Sequence, residues 1–174
     1  MAAEKKLTGV ERTFHPDELI VSKTDPTGKI TYANDVFITL AGYTEEELLG
    51  QPHSIIRHPE MPRAVFKLLW DTIESGAEIF AYVVNRARNG DHYWVFAHVT
   101  PNLDAAGTII GYHSSRRVPR REAIAKVKPL YDAVLAEERR HGDRRLGLER
   151  SFAMLVDAVG RSGFESYDRF VLGL

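Results

Sequence analysis

The chain has 174 residues, of which 44% are hydrophobic and 27% charged, and its formal net charge is -1. This length suffices for one globular domain with a core and some additional elements. The balanced charge gives no global electrostatic reason to bind nucleic acid or an anionic membrane. The absence of cysteine excludes disulfides, thiolate metal sites, cysteine nucleophiles and any chemistry through a cysteine adduct.

The amino-terminal residues are polar, and no apolar stretch there resembles a signal peptide. No window approaches the ~18 uninterrupted apolar residues of a membrane span. We therefore expect a cytoplasmic protein with no membrane span.

The first predicted elements after a polar tail at residues 1–17 are two strands. Residues 18–25 are rich in β-branched side chains and partly alternate, which predicts a strand. Residues 26–28, Pro-Thr-Gly, form a turn, and residues 29–33 form a second strand that pairs with the first as a hairpin.

The next stretch predicts short helices. Asn34, or the aspartate after it, can cap a helix that Gly42 stops. Thr44 opens another helical turn as part of a capping box. Pro62 suits the first position of a longer helix that ends at Gly76. The apolar positions of that longer helix are Val65, Leu68, Leu69 and Ile73.

Three further strands are predicted at residues 79–86, 93–100 and 108–116, with turns at 89–91 and 104–107. The order indicates an α+β domain, one five-stranded antiparallel sheet with short helices on one face.

Beyond Pro119 the pattern becomes helical. An apolar stripe from Ile124 to Leu135 recurs at helical spacing. A charged break at residues 141–145 precedes helices predicted at 148–159 and 167–172. The first stripe needs a surface to pack on, which the sheet, a second copy or another protein could supply.

Two motifs carry a resemblance to a known family. One is G-Y-T-E-E-E-L-L-G-Q-P-H at residues 42–53, followed by I-R-H-P-E-M-P at 56–62. The other is N-R-A-R-N-G-D-H-Y-W-V at residues 85–95. Together they resemble the PAS domain of bacterial aerotaxis receptors, over roughly residues 18–135.

The resemblance implies a PAS fold, a non-covalently bound FAD that reports redox conditions, and no catalytic residues. It divides the chain into a tail or cap at 1–17, a sensor domain at 18–118 and a helical extension at 119–174 for output or dimerisation. Glu60 and Phe80 depart from the family, which usually has Asp and often Trp there. The receptors continue into membrane anchors and a coiled coil, so we expect this chain to be a stand-alone or excised sensor.

Asn85, Asn34, Arg57 and His58 are candidate cofactor ligands. An amide offers both a donor and an acceptor to the pyrimidine edge of a flavin, and Asn85 lies on a predicted inner strand. Asn34 can equally be only a helix cap. Arg57 could pair with the FAD pyrophosphate or the ring carbonyls, or form a surface ion pair.

Haem is the alternative cofactor, because one axial histidine is enough to bind it. By residue type the candidates are His53, His58, His92, His98 and His113. Their spacing matches no metal motif.

Of the two tryptophans, Trp94 is expected to face the pocket from its strand and Trp70 to belong to the helix core. The densest basic run is expected to be a solvated linker face that binds no nucleic acid, because no aromatic platform accompanies it. This run contains Arg116, Arg117, Arg120 and Arg121.

The favoured hypothesis is a flavin-based redox or oxygen sensor that acts through a homodimer or a signalling partner. A haem-based gas sensor and a ligand-free PAS dimerisation module remain as alternatives. No nucleophile elbow, phosphate loop, metal motif or constrained carboxylate pair indicates an enzyme.

Overall fold

The structure, a computed structural model, describes residues 6–174. Its strands are β1 (Ile20–Thr24), β2 (Ile30–Ala33), β3 (Ile79–Arg86), β4 (His92–Leu103) and β5 (Ile109–Arg117). Its helices are α1 (Asp35–Ala41), α2 (Glu45–Leu48), α3 (Arg63–Glu74), α4 (Arg121–Arg140), α5 (Arg144–Arg161) and α6 (Tyr167–Leu172), with a 3-10 turn at His53–Ile56.

The strands form one antiparallel sheet in the order β2-β1-β5-β4-β3, which confirms the predicted five-stranded α+β architecture. Side chains alternate between the two faces, as strand geometry requires. On β4, Tyr93 and Val95 are fully buried on one face, whereas Trp94 and Phe96 lie on the other. We call the face that carries Tyr93 the inner face.

Local signals in the sequence set the first helices. The side chain of Asn34 accepts from the Phe37 amide and caps α1, and Gly42 ends that helix in the left-handed region at a φ of 71°. Thr44 and Glu47 form the predicted capping box at the start of α2. These contacts hold the short helices against the inner face.

The carboxyl-terminal helices pack on the chain's own sheet. Tyr131 of α4 donates a hydrogen bond from Oη to the Tyr82 carbonyl on β3 over 2.7 Å, and its ring stacks near that of Trp94 on the outer face. Asp168 of α6 accepts from the Phe80 amide at 2.9 Å. The helix after His141, α5, folds back against α3 and α4. The sheet therefore supplies the surface that the α4 stripe needs.

The described part of the amino-terminal tail runs beside β4. The amide of His92 donates to the Val10 carbonyl at 2.9 Å, and the Arg12 amide returns a bond to the His92 carbonyl at 2.7 Å. Thr8 and Arg12 also donate from their side chains to Asp91. Residues 1–5 of the predicted tail lie outside the described residues.

Over residues 6–174, every helix is too short or too polar to cross a membrane.

Candidate functional site

A cavity of about 540 Å³ lies between α3 and the inner face of the sheet. The helix side lines it with Phe66, Leu69, Trp70 and Ile73, and the sheet side with Val83, Ala97 and Val99. Its size is ordinary for a small-molecule site, and so is the combination of apolar walls with few polar groups. Its polar groups include Ser22, Thr24, His53, Arg57, Asn85 and Arg116. We call this space the ring cavity.

Asn85 lies in the wall of the ring cavity and is only 4% exposed. Its side chain makes no hydrogen bond to any other residue in the described range 6–174. Its strand β3 is an edge strand of the sheet and not the inner strand that was predicted, and its backbone bridges to Arg57 across that edge. A buried amide with no partner is costly, so this side chain is poised for a ligand that offers both donors and acceptors.

Arg57 also lines the ring cavity. Its Nη2 donates to the Met61 carbonyl at 3.1 Å, and its guanidinium lies 4.6 Å from the ring centroid of Phe66. Burial lowers the pKa of this guanidinium below its usual range, with smaller contributions from neighbouring arginines. The structure thus places Arg57 and Asn85 together, as the sequence predicts.

Asn34 and His58 do not line the ring cavity. Asn34 accepts from the amides of Val21 and Phe37 and donates to the Leu19 carbonyl, so its amide is occupied by backbone groups. His58 is 4% exposed, and its Nδ1 accepts from the Glu60 amide at 3.2 Å. Burial lowers the pKa of His58. Both side chains have local structural roles in the geometry observed.

The two tryptophans occupy the reverse of the expected positions. Trp94 lies on the outer face of β4 with Phe96, and its ring centroid is 6.4 Å from that of Tyr131. Successive side chains of a strand point to opposite faces, so Trp94 points away from the cavity that Ala97 lines. Trp70 lines the ring cavity and contacts Tyr112 edge-on at 5.5 Å. It follows Phe66 by four positions on α3, which puts both on the cavity side of the helix.

Arg116 is the main site residue that sequence reasoning missed. It is 2% exposed and lines the ring cavity, so the expected solvated linker face does not apply to it. Its Nη2 donates to Ser22 Oγ, while Nε and Nη1 are buried and have no hydrogen-bond partner among residues 6–174. Burial lowers its pKa to about 10. The alternation of side chains along β5 predicts this position, because Tyr112, Ser114 and Arg116 point to the same face and all line the cavity.

His53 completes the polar end of the ring cavity. Its Nε2 lies 3.0 Å from Ser22 Oγ, and its ring stacks on Phe37 at 5.9 Å. Burial, with a contribution from the nearby Arg116 charge, lowers its pKa to about 3. The imidazole is therefore neutral at physiological pH, and the arginine is the charged group of this cluster.

Within residues 6–174, no group of three or more histidine, cysteine, aspartate or glutamate side chains is placed to hold a metal ion.

Residues 30–116 match the family model described as PAS fold, and the chain belongs to the PAS family. It is 43% identical over 136 residues to the aerotaxis receptor of Escherichia coli (strain K12), an alignment that covers 78% of this chain and 27% of the receptor. It is 31% identical over 97 residues to a nitrogen fixation regulatory protein of Klebsiella pneumoniae, covering 56% and 20%. The chain thus spans about a quarter or less of these relatives.

The fold also resembles solved light-sensing domains. The dark structure of the blue-light photoreceptor Aureochrome1 LOV superposes with a TM-score of 0.54 at 26% identity, covering 70% of this chain and 84% of that chain. These similarities agree with the resemblance that the motifs at residues 42–62 and 85–95 indicate.

Proposed function

We propose that this chain is a flavin-binding PAS sensor that takes FAD and reports redox or oxygen conditions through protein contacts, without catalytic turnover. The observation that carries the proposal is the pairing of apolar walls with polar groups that have no hydrogen-bond partner within residues 6–174, chiefly the Asn85 side chain in the cavity wall and the buried Nε and Nη1 of Arg116. The aerotaxis and photoreceptor functions in the names of its relatives support it. The cytoplasmic location remains a prediction.

The residues present suit a flavin. The apolar walls match its fused ring, and Asn85 can donate to and accept from the pyrimidine edge. Arg116 can donate from its free Nε and Nη1 to a ring carbonyl, and Thr24 has a further buried hydroxyl without a partner. A bound flavin supplies reversible two-electron redox chemistry. The positive charge of Arg116 would then stabilise the redox state of the flavin that carries more negative charge.

A flavin suits the cavity better than haem does. Of the histidines in residues 6–174, only His53 lines the ring cavity. Its Nε2 lies within hydrogen-bond distance of Ser22 Oγ, and its ring stacks on that of Phe37. Axial coordination through Nε2 would break the contact with Ser22, and no other described histidine is placed to replace it.

The proposed output is the carboxyl-terminal helical unit. Asn85 shares β3 with Phe80 and Tyr82, whose backbone groups hydrogen-bond to α6 and α4. A change at the cavity end of β3 can therefore alter how these helices dock, because their contacts are to the same strand. The receiver would be a second copy of the chain or a signalling protein.

The test is the colour and cofactor content of the purified full chain. We expect a yellow protein that releases FAD on heat denaturation, identified by chromatography against FAD, FMN and riboflavin standards. A colourless preparation that stays empty after incubation with FAD would contradict the proposal. A haem spectrum would support the alternative, and a variant with Asn85→Leu and Arg116→Met serves as the binding-deficient control.

A further inference from the structure

A second, more open cavity of about 350 Å³ adjoins the ring cavity and is bounded on one side by α4 and the start of α5. The two cavities share Arg57 and Arg63 in their walls. The remaining wall residues are Pro59, Leu135, Glu138, Arg139, His141 and Arg144. We call this space the basic cavity. Residues from within the matched PAS segment and from the helices after it therefore meet at one opening.

The walls of the basic cavity carry an excess of positive charge. Glu138 is their one carboxylate, and Arg63 already occupies it, with Nε 2.6 Å from Oε1 and its amide 2.9 Å from Oε2. Within residues 6–174 the other three arginines, Arg57, Arg139 and Arg144, form no salt bridge with a carboxylate, although the charge of Glu138 also acts on Arg57. Such a cluster suits an anion with several oxygens.

Two of these arginines are already oriented by the fold. Arg139 donates to the Pro59 carbonyl at 3.1 Å, which ties α4 to the irregular segment before α3. Arg63 donates from Nη2 to the Arg144 carbonyl at 2.9 Å, which fixes the start of α5 at the rim. The basic cavity is thus a feature of the folded-back helices, and the sheet alone does not form it.

We propose that the basic cavity binds the diphosphate of a flavin dinucleotide whose ring lies in the ring cavity. This inference rests on the proposed function and extends it to the helices α4 and α5. A diphosphate carries two negative charges and several acceptor oxygens, which guanidinium groups match in geometry. Because Arg57 and Arg63 line both cavities, one extended ligand can occupy the two cavities at once. The carboxyl-terminal helices then select FAD over riboflavin.

The test compares two double variants of the full chain with the same loss of charge. The test variant carries Arg139→Gln and Arg144→Gln, which line the basic cavity. The control carries Arg140→Gln and Arg145→Gln, neighbours that are exposed like Arg139 and Arg144 but line neither cavity. Dissociation constants for FAD and riboflavin are measured by flavin fluorescence at low and high salt.

We expect the test variant to bind FAD at least about tenfold more weakly than wild type, with riboflavin affinity within about twofold. The control should match wild type for both ligands, and high salt should shrink the FAD difference. Equal losses for FAD and riboflavin, or no loss for FAD, would overturn the inference while leaving flavin binding intact. A wild-type chain that binds neither flavin would instead overturn the proposed function, and this inference with it.

Discussion

The guanidinium of Arg116 lies over the ring of Phe37, with 4.6 Å from Cζ to the ring centroid, and two of its nitrogens are buried without partners in the part of the chain that the structure describes. Such a charge destabilises the empty protein and becomes useful only when a ligand accepts from it. Arg116→Met should therefore raise the free energy of unfolding of the empty protein by about 1–3 kcal/mol. It should also weaken flavin binding by about tenfold or more.

Chemical denaturation of the empty protein and flavin titration measure the two effects. Arg117→Met, at the exposed neighbouring position, is the matched control and should change neither. Wild-type flavin affinity in Arg116→Met would remove Arg116 from the binding site.

The two candidate asparagines should separate stability from binding. Asn34→Ala removes a helix cap and should lower the free energy of unfolding by about 0.5–2 kcal/mol, with flavin affinity unchanged. Asn85→Leu should weaken flavin binding without lowering the free energy of unfolding, because the amide has no protein partner within residues 6–174 to lose. Urea unfolding and flavin titration of both variants test this. A loss of flavin affinity in Asn34→Ala that exceeds the loss in Asn85→Leu would contradict it.

The tryptophans give an optical test of the cavity assignment. Trp70 lines the ring cavity, whereas Trp94 packs on the opposite face of the sheet against Tyr131. Flavin binding should quench tryptophan emission strongly in Trp94→Phe, which retains Trp70, and much less in Trp70→Phe. Each variant serves as the control for the other. Stronger quenching in Trp70→Phe would place the ring of the flavin on the other face.

Signal output should be visible as a change in the docking of the last helices. Tyr131 and Asp168 hold α4 and α6 to the backbone of β3. Amide exchange in residues 119–174 should therefore differ between the oxidised and the dithionite-reduced protein. Tyr131→Phe, which removes the bond to the Tyr82 carbonyl, should raise exchange there in both states. Identical exchange with a demonstrably reduced flavin would eliminate this route.

Asp91 should make the stability of the protein depend on pH. Hydrogen bonds from Thr8, Arg12 and Asn89 lower its pKa from 3.8 to about 2. A depressed folded-state pKa stabilises the protein above the unfolded value, and this contribution is lost as pH falls from about 4 towards 2. Asp91→Asn should lower the urea midpoint at neutral pH, and the gap to wild type should close over that range.

The control for this prediction is Asp132→Asn, which breaks only an exposed helical ion pair with Lys128. It should have a small effect at neutral pH, because such surface pairs contribute little. A gap for Asp91→Asn that is constant with pH would mean that its charge does not stabilise the folded state.

Short-range signals made most of the secondary structure predictable. The strand predicted at residues 79–86 and the helix at 167–172 have the observed bounds, and the capping box at Thr44 is present. Such features depend on a few neighbouring residues. The helix predicted at residues 148–159 begins earlier and ends later, as α5, because packing against α3 and α4 stabilises additional residues.

The site was less predictable, because it depends on which face of an element meets which neighbour. Asn85 was predictable as a candidate from its amide chemistry and from the motif at residues 85–95, whereas strand alternation applied to β5 would have found Arg116. The neighbouring arginines suggested an exposed segment, and Arg116 was therefore not predicted to line the cavity. Trp94 has the same alternation, but sequence alone does not say which of two adjacent aromatic residues points to the cavity.

The presence of Leu148 in the wall of the ring cavity bears on how this sensor can be recombined with other proteins. The family segment ends at residue 116, yet a helix more than thirty positions later supplies part of the container. A chimera that joins residues 18–118 to a foreign effector would lack Leu148 and so part of the wall of the ring cavity. The ring cavity is therefore complete only when α5 is present, and transplanting the proposed sensor requires moving that helix with the sheet.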